Sequence, residues 1–335
     1  MGTDSDIKNS DPIIQKILNG DRRTLAQAIT LVESSKKEHY LQAEKILNSL
    51  ISYGRQPFLR LAVTGAPGVG KSTFIETFGL DLIEEGFSVA VLAIDPSSPL
   101  RGGSILGDKT RMTKLAVHPK AFIRPSPSGL DVSGIAQHTR EVMLLCEAAG
   151  FDIIIIETVG VGQSQTLVSE IVDMFLLLLS PGGGDELQGI KRGIVEIADL
   201  LIINKADDDL RRLAEITAKE YQQALKLLIP VKKDWTPDIL ICSALQHFGF
   251  KEIWGKIKQF QKIMKDNGML QATRFKQKKK WLKQELNQQI LNFIHNDNVI
   301  KQSFNEYEQA IINNQLTPPN AARLILQKFF ERMNN

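Results

Sequence analysis

Between Phe58 and Phe260, short apolar runs alternate with longer mixed segments, which predicts an α/β fold built on a mostly parallel sheet flanked by helices. Two further observations agree. Runs such as Ile153–Ile156 and Met174–Leu179 are apolar at every position, the pattern of strands covered on both faces. The first run, Leu59–Thr64, passes directly into a glycine-rich turn and then a helical stretch. The chain on either side lacks strand patterns, so the sheet carries helical N- and C-terminal extensions.

The elements follow in order. From about Asp11 to Ser52 the apolar residues have helical spacing: Ile13 and Ile17, then Leu25, Ala28, Ile29 and Val32, then Leu41, Ile46, Leu47 and Leu50. Residues 1–55 are therefore read as a helical N-terminal extension, with Gly20-Asp21 punctuating its first two runs. Strands are expected at Leu59–Thr64, Ser88–Ile94, Ala121–Arg124, Ile153–Ile156, Met174–Leu179, Leu200–Asn204 and Ile239–Ser243. Helices are expected between them at Thr73–Glu85, Ile135–Ala149, Gly189–Ile197 and Leu213–Leu228, giving a sheet domain over 56–262. Residues 263–335 return to helix, and Thr317-Pro318-Pro319 supplies a Thr cap with Pro at the first helical position. The apolar face of this C-terminal region needs cover from the sheet domain or from a second subunit.

Composition removes several function classes. The net charge of +3 is too mild to imply nucleic acid. Six positive residues do cluster from Arg274 to Lys283, but Leu282, Leu286 and Ile290 follow at helical spacing, so the cluster reads as the solvated face of an amphipathic helix. The cysteines, Cys146 and Cys242, are too far apart for a paired motif and fit a reducing compartment. The polar N-terminus lacks a signal-peptide core, and the longest apolar runs fall well short of the roughly 20 residues that span a bilayer. A cytoplasmic protein without membrane partners is expected. His39, His118, His138, His247 and His295 are scattered and read as surface or helix-packing residues, not ligands.

Gly65-Ala66-Pro67-Gly68-Val69-Gly70-Lys71-Ser72 matches G-x-x-x-x-G-K-[ST] at every position, between a strand and the helix opening at Thr73. Glycines allow the tight turn that presents backbone N–H groups to phosphate oxygens, and the helix N-terminus favours an anion. Lys71 is placed for the terminal phosphates and Ser72 for Mg²⁺. The sheet is thus read as that of a P-loop nucleoside triphosphatase. Asn204-Lys205-Ala206-Asp207, after a late strand, selects the base. Its carboxylate can accept from both N1–H and N2–H₂ of guanine, a donor pair that adenine lacks. Asn204 braces loop and base, the Lys205 stem can lie over the ring, and Ser243-Ala244-Leu245 forms the short loop over the base.

The metal and hydrolysis machinery is sought among acids at strand ends, where open α/β sheets bind ligands. Glu157 ends one strand and is placed to hold Mg²⁺, directly or through water, or to orient the attacking water; Gly160 follows as a γ-phosphate donor. Asp95 ends the second strand, and Asp108 follows the glycine-rich Arg101-Gly-Gly-Ser104.

These residues together resemble the MeaB/ArgK/MMAA family of P-loop GTPases. The resemblance covers roughly 12–295. It rests on Gly20-Asp-Arg-Arg-x-Leu-x-x-Ala-Ile-Thr-Leu-Val-Glu-Ser34, the P-loop, Asp95-Pro-Ser-Ser-Pro and Gly107-Asp-Lys-Thr-Arg-Met112. Glu157-Thr-Val-Gly-Val-Gly-Gln163, Gly184-Asp-Glu-Leu-Gln-Gly-Ile-Lys191 and Asn-Lys-Ala-Asp207 complete it. The resemblance implies a homodimeric chaperone for an adenosylcobalamin-dependent acyl-CoA mutase, chiefly of the methylmalonyl-CoA type, using GTP binding and hydrolysis to gate cofactor loading and protect the mutase. Adenosylcobalamin would then enter only through the partner. It also implies that Ser72, Asp95, Asp108 and Glu157 form the Mg²⁺ and catalytic shell, and that Ser180–Lys191 is a further switch loop in which Lys191 can reach the nucleotide. Some members were described as kinases linked to transport of basic amino acids; no substrate motif here supports that alternative. A nickel-inserting role is disfavoured by the lack of His-rich and paired-Cys segments.

Overall fold

The computed structural model describes residues 11–34, 36–53, 56–95, 112–127, 132–158, 164–182, 192–226, 232 and 234–333. Three helices open it: α1 (Pro12–Leu18), α2 (Arg22–Val32) and α3 (Lys37–Ile51). Asp11 and Asp21 cap the first two, accepting from the backbone N–H of Ile13 and Thr24. Gly20 makes the turn between them at φ 76°.

The sheet domain then runs β1 (Leu59–Gly65), α4 (Lys71–Glu84), β2 (Val89–Asp95), α5 (Thr113–Val117), β3 (Ala121–Pro127), α6 (Val132–Ala148) and β4 (Ile153–Thr158). It continues through α7 (Ser164–Ser169), β5 (Met174–Leu179), α8 (Arg192–Ile197), β6 (Leu200–Ile203), α9 (Arg211–Leu225), β7 (Asp238–Ile241) and α10 (Phe250–Asp266). Helices α11 (Met269–Asn296), α12 (Asn298–Ile312) and α13 (Pro318–Met333) complete the chain.

Among the described residues, seven strands form one sheet in the order β3-β2-β4-β1-β5-β6-β7, and each pairing is parallel. The expected strands therefore form, each within a few residues of its predicted limits. The strand expected to run through Asn204 stops at Ile203, and the one expected to reach Ser243 stops at Ile241, which leaves both residues in loops. The short helices α5 and α7 carry no clear apolar period and were not expected.

Both sheet faces are covered, which explains the uninterrupted apolar runs. On one face Ala62, Ala90, Ile154 and Phe175 share a core with α6 and with Ile17, Leu25, Ile29 and Leu47 of the N-terminal helices. On the other, Val63, Val91, Ile155 and Leu176 pack with Phe74 and Phe78 of α4 and Trp254 and Phe260 of α10. Because β1 lies between β4 and β5, the turn after β1 opens at the middle of the sheet's carboxyl edge, where α/β sheets hold ligands.

The chain divides into two compact units, Met1–Arg274 and Phe275–Asn335. In the second, Ile300, Ile325 and Phe329 form a small core, with Phe293 edge-on to Phe329 at 5.7 Å between centroids. Phe275, Leu282, Leu286, Ile290 and Phe293 remain exposed along α11. Lys276, Lys278, Lys279, Lys280 and Lys283 are solvated as expected, but Arg274 is not part of that face. It is 5% exposed, and its guanidinium forks onto Asp173, Nε to Oδ1 at 2.9 Å and Nη2 to Oδ2 at 2.7 Å. Asp173 Oδ2 also accepts from the Arg60 backbone N–H, and Arg60 pairs in turn with buried Glu147. A charge run in sequence does not reveal that one member meets a carboxylate 101 residues away.

Removing one partner of a buried pair leaves the other uncompensated. Asp173→Asn is expected to lower unfolding free energy by about 3 kcal/mol or more, read by urea denaturation.

Candidate nucleotide site

The site is assembled from β1, α4, the carboxyl end of β4 and the loops after β6 and β7. Gly65 ends β1 and Lys71 begins α4, so Gly65–Ser72 forms the connection. A Cβ on Gly65 would stand 2.4 Å from the Leu178 carbonyl oxygen, so only glycine fits against β5 there. Helix α4 starts at Gly70 with φ 91°, no side-chain cap and no acid in its first turn. Its first N–H groups thus lack a side-chain acceptor, and the local field favours an anion. Lys71 Nζ donates to the carbonyls of Gly65 and Ala66, at 2.9 and 3.1 Å, which keeps the ammonium over the loop. Pro67 and Gly68 are exposed, Val69 is buried beneath them, and Thr73 faces solvent in the first turn of α4.

Asn204 joins this loop to the proposed base loops. It is 1% exposed; its Nδ2 donates to Val69 O at 2.9 Å, while its Oδ1 accepts from Ala244 N at 3.2 Å and from Cys242 Sγ at 3.4 Å. Burial, and then the nearby Asp207 charge, push the Cys242 thiol up to about 12, so it stays protonated and remains a donor. Lys205 turns through a left-handed conformation, φ 61°, and exposes its side chain. Asp207, half-buried, accepts from Ser243 Oγ, and that same oxygen accepts from Gln246 N at 2.9 Å. Ser243 is fully buried, Ala244 nearly so, and Leu245 is 80% exposed at the loop tip. The structure therefore brings Asn204, Asp207, Ser243, Ala244 and the P-loop into one assembly.

Glu157 lies at the carboxyl end of β4, 8% exposed, and its Oε1 accepts from Ser72 Oγ at 2.9 Å. These are hard oxygen donors of the kind Mg²⁺ takes, and two adjacent ligands of an octahedral Mg²⁺ at about 2.1 Å stand roughly 3 Å apart. The pair fits the ion by chemistry and by spacing. Asp95 closes β2, beside β4 in the register that pairs Ile94 with Thr158, so its backbone is near Glu157's end of the sheet. Its side chain lies outside the described residues, as do Asp108, Gly160, Lys191 and most of Ser180–Lys191. Among the described residues no cluster of three or more His, Cys, Asp or Glu forms a metal site.

A buried polar trio behind this site was not read from sequence. Thr64 Oγ1 accepts from Thr158 Oγ1 at 2.8 Å and from Gln165 Nε2 at 3.0 Å. It links the last residue before the P-loop, the residue after Glu157, and α7. Thr64, a hydroxyl directly after the apolar Leu61-Ala62-Val63, was the available signal.

A phosphate-cradle loop on a central parallel strand, tied by one buried amide to the loops after β6 and β7, defines a P-loop nucleotide-binding protein. Known proteins agree. The family model described as methylmalonyl Co-A mutase-associated GTPase MeaB matches residues 25–298. A putative GTPase of Caulobacter vibrioides is 54% identical over 273 residues, 81% of this chain and 83% of that protein. GTPase ArgK of Escherichia coli is 47% identical over 310 residues, 92% and 93% of the two chains. A solved structure described as LAO/AO transport system kinase aligns with a TM-score of 0.75 at 39% identity, covering 99% of each chain. The chain belongs to the MeaB family of GTPases, and hydrolysis of GTP is its activity in general terms. Among the described residues no helix is long and apolar enough to cross a membrane.

A Cβ on Gly70 would lie 2.7 Å from Asn204 Nδ2, in a backbone conformation that side chains resist. Gly70→Ala is expected to weaken GDP binding by at least about tenfold while the circular dichroism spectrum is retained. Unchanged affinity in a fluorescent-nucleotide titration would contradict the close Gly70–Asn204 contact.

Proposed function

We propose that the chain is a Mg²⁺-dependent GTPase that serves as a chaperone for an adenosylcobalamin-dependent acyl-CoA mutase of the methylmalonyl-CoA type. On this reading GTP binding and hydrolysis time cofactor loading and protect the mutase, and adenosylcobalamin belongs to the partner alone. The family match over 25–298 carries the proposal, because the model is that of a mutase-associated GTPase.

The residues take the following roles. The backbone of Gly65–Ser72 and the α4 N-terminus hold the phosphates, and Lys71 turns from its loop carbonyls to the terminal phosphate oxygens. Asp207 accepts from N1–H and N2–H₂ of guanine, with Ser243 holding its carboxylate and the Lys205 stem beside the ring. Ser72 and Glu157, with Asp95 and Asp108, are the oxygen donors for Mg²⁺, which when bound neutralises charge on the β- and γ-phosphates. Glu157, at the tip of β4, also orients water toward the γ-phosphate. Gly160 and Lys191 donate at the phosphate end.

A homodimer is part of the proposal. The exposed stripe Phe275, Leu282, Leu286, Ile290 and Phe293 lies on one side of α11 at helical spacing, and a second copy would cover it. The kinase alternative draws on two names, GTPase ArgK and the LAO/AO transport system kinase. It differs in where the γ-phosphate goes.

Glu157→Gln is expected to lower kcat about 100-fold and GTP affinity by much less; equal losses in both would confine Glu157 to holding Mg²⁺. With γ-labelled GTP, label should appear as inorganic phosphate; label retained on a second molecule would favour the kinase. Affinity capture from the source cell with a non-hydrolysable GTP analogue is expected to recover a B12-dependent mutase, and its absence with both GDP and the analogue would sink the chaperone role.

A further inference from the structure

Beyond Leu245 the chain adopts a conformation that base recognition alone does not require. His247 has φ 53°, a left-handed backbone that non-glycine residues seldom take. This turn directs its ring to α4, where Nε2 lies 2.8 Å from Asp81 Oδ1 and 2.9 Å from Oδ2. The ring also packs edge-on to Phe250, with centroids 5.6 Å apart. His247 is 60% exposed and Asp81 26%, and such a solvent-reached pair adds little to global stability. A strained backbone serving a weak surface contact points to a local task.

The surrounding bonds show what is held. Phe248 exchanges both backbone hydrogen bonds with Ser243, at 3.1 Å each, so Ser243–Phe248 is a closed loop. Thr77, one turn before Asp81 on α4, donates from Oγ1 to Ala244 O at 3.2 Å. Gly249 follows at φ 85°, where a Cβ would stand 2.2 Å from Ile241 O, so the loop's exit is confined against β7. One face of α4 thus grips the loop at both ends, through Thr77 at Ala244 and Asp81 at His247. The same helix begins at Lys71.

We propose that His247 and Asp81 form a clamp that fixes the loop Ser243–Phe248 to the P-loop helix, making both positioning residues for guanine recognition. The clamp keeps Ser243 against Asp207 and sets the distance between base and phosphate subsites without contacting nucleotide. The inference rests on the reading that Asp207 and Ser243–Leu245 receive the base.

The test compares full-length parent, His247→Asn, Asp81→Ala and the double variant. Asn tolerates the left-handed backbone but is too short to reach Asp81. Each single variant should weaken binding of a fluorescent GDP by about two- to fivefold, through faster dissociation, and the double variant no more than either single. Competition by inorganic tripolyphosphate, which uses the P-loop alone, should be unchanged, and KM for GTP should rise more than kcat falls. Unaltered GDP affinity, additive losses in the double variant, or equal weakening of tripolyphosphate would each overturn the clamp. Asp207→Asn serves as the separate control: it should shift preference from GTP to xanthosine triphosphate. If it does not, the base assignment itself fails, whatever the His247 variants do.

Discussion

The side chain of Asn204 is the constraint on which the rest of the site depends. It is a fully buried amide whose donor end meets the P-loop at Val69 and whose acceptor end meets Cys242 and Ala244. A buried polar group in a low-dielectric interior must keep its partners, so the loops that supply them cannot drift apart independently. The P-loop and the proposed base loops, 135 residues apart in sequence at this contact, are thereby held as one frame. Gly70 gains a second reason to be glycine: beyond its left-handed turn, it leaves room for the Asn204 amide.

The two ends of the sheet use buried polarity differently. At the carboxyl edge, Thr64, Thr158, Gln165 and Asn204 join loops by neutral hydrogen bonds, and the carboxylates of Glu157 and Asp207 are left close to where a ligand enters. At the amino edge, charges are spent on architecture. Asp173 and Asp199, each just before a strand, receive Arg274 and Lys232. Burial raises the Asp199 carboxyl, and the Lys232 ammonium offsets only part of that rise. An isolated acid at either place would be costly, so a strand-adjacent Asp is informative only once its partner is known.

That difference explains what was legible in the sequence. The sheet was readable because both faces are covered and several of its strand runs stay apolar; Met174–Leu179 even keeps its predicted limits. The P-loop and Asn204–Asp207 were readable because phosphate and guanine chemistry restrict residue type at fixed local spacing. What stayed hidden depends on long-range pairing. Arg274 looked like one of six solvated cations, and only the fold sets it against Asp173. His247 looked like any surface histidine, and only the fold places Asp81 opposite it. Ser72 and Glu157 could each be proposed from motif and strand end, but their 2.9 Å approach comes from β1 and β4 being neighbours.

The rigid frame also limits where nucleotide state can be read. On the proposed reading, P-loop, Asn204, base loop and α4 together engage what GTP and GDP share: guanine and the inner phosphates. A contact that is equally favourable in both states shifts no equilibrium, however strong it is. On that reading discrimination between GTP and GDP comes from groups that meet the γ-phosphate end, the role proposed for Glu157 beside Ser72 at the end of β4. Thr158, bonded through Thr64 to the start of the P-loop and through it to Gln165, makes the tip of β4 continuous with α7. These bonds do not involve the Asn204 contacts that join the P-loop to the loops after β6 and β7. Such a division, with affinity set in the frame and state read at β4, is what a GTPase needs if its output is a conformation presented to a partner.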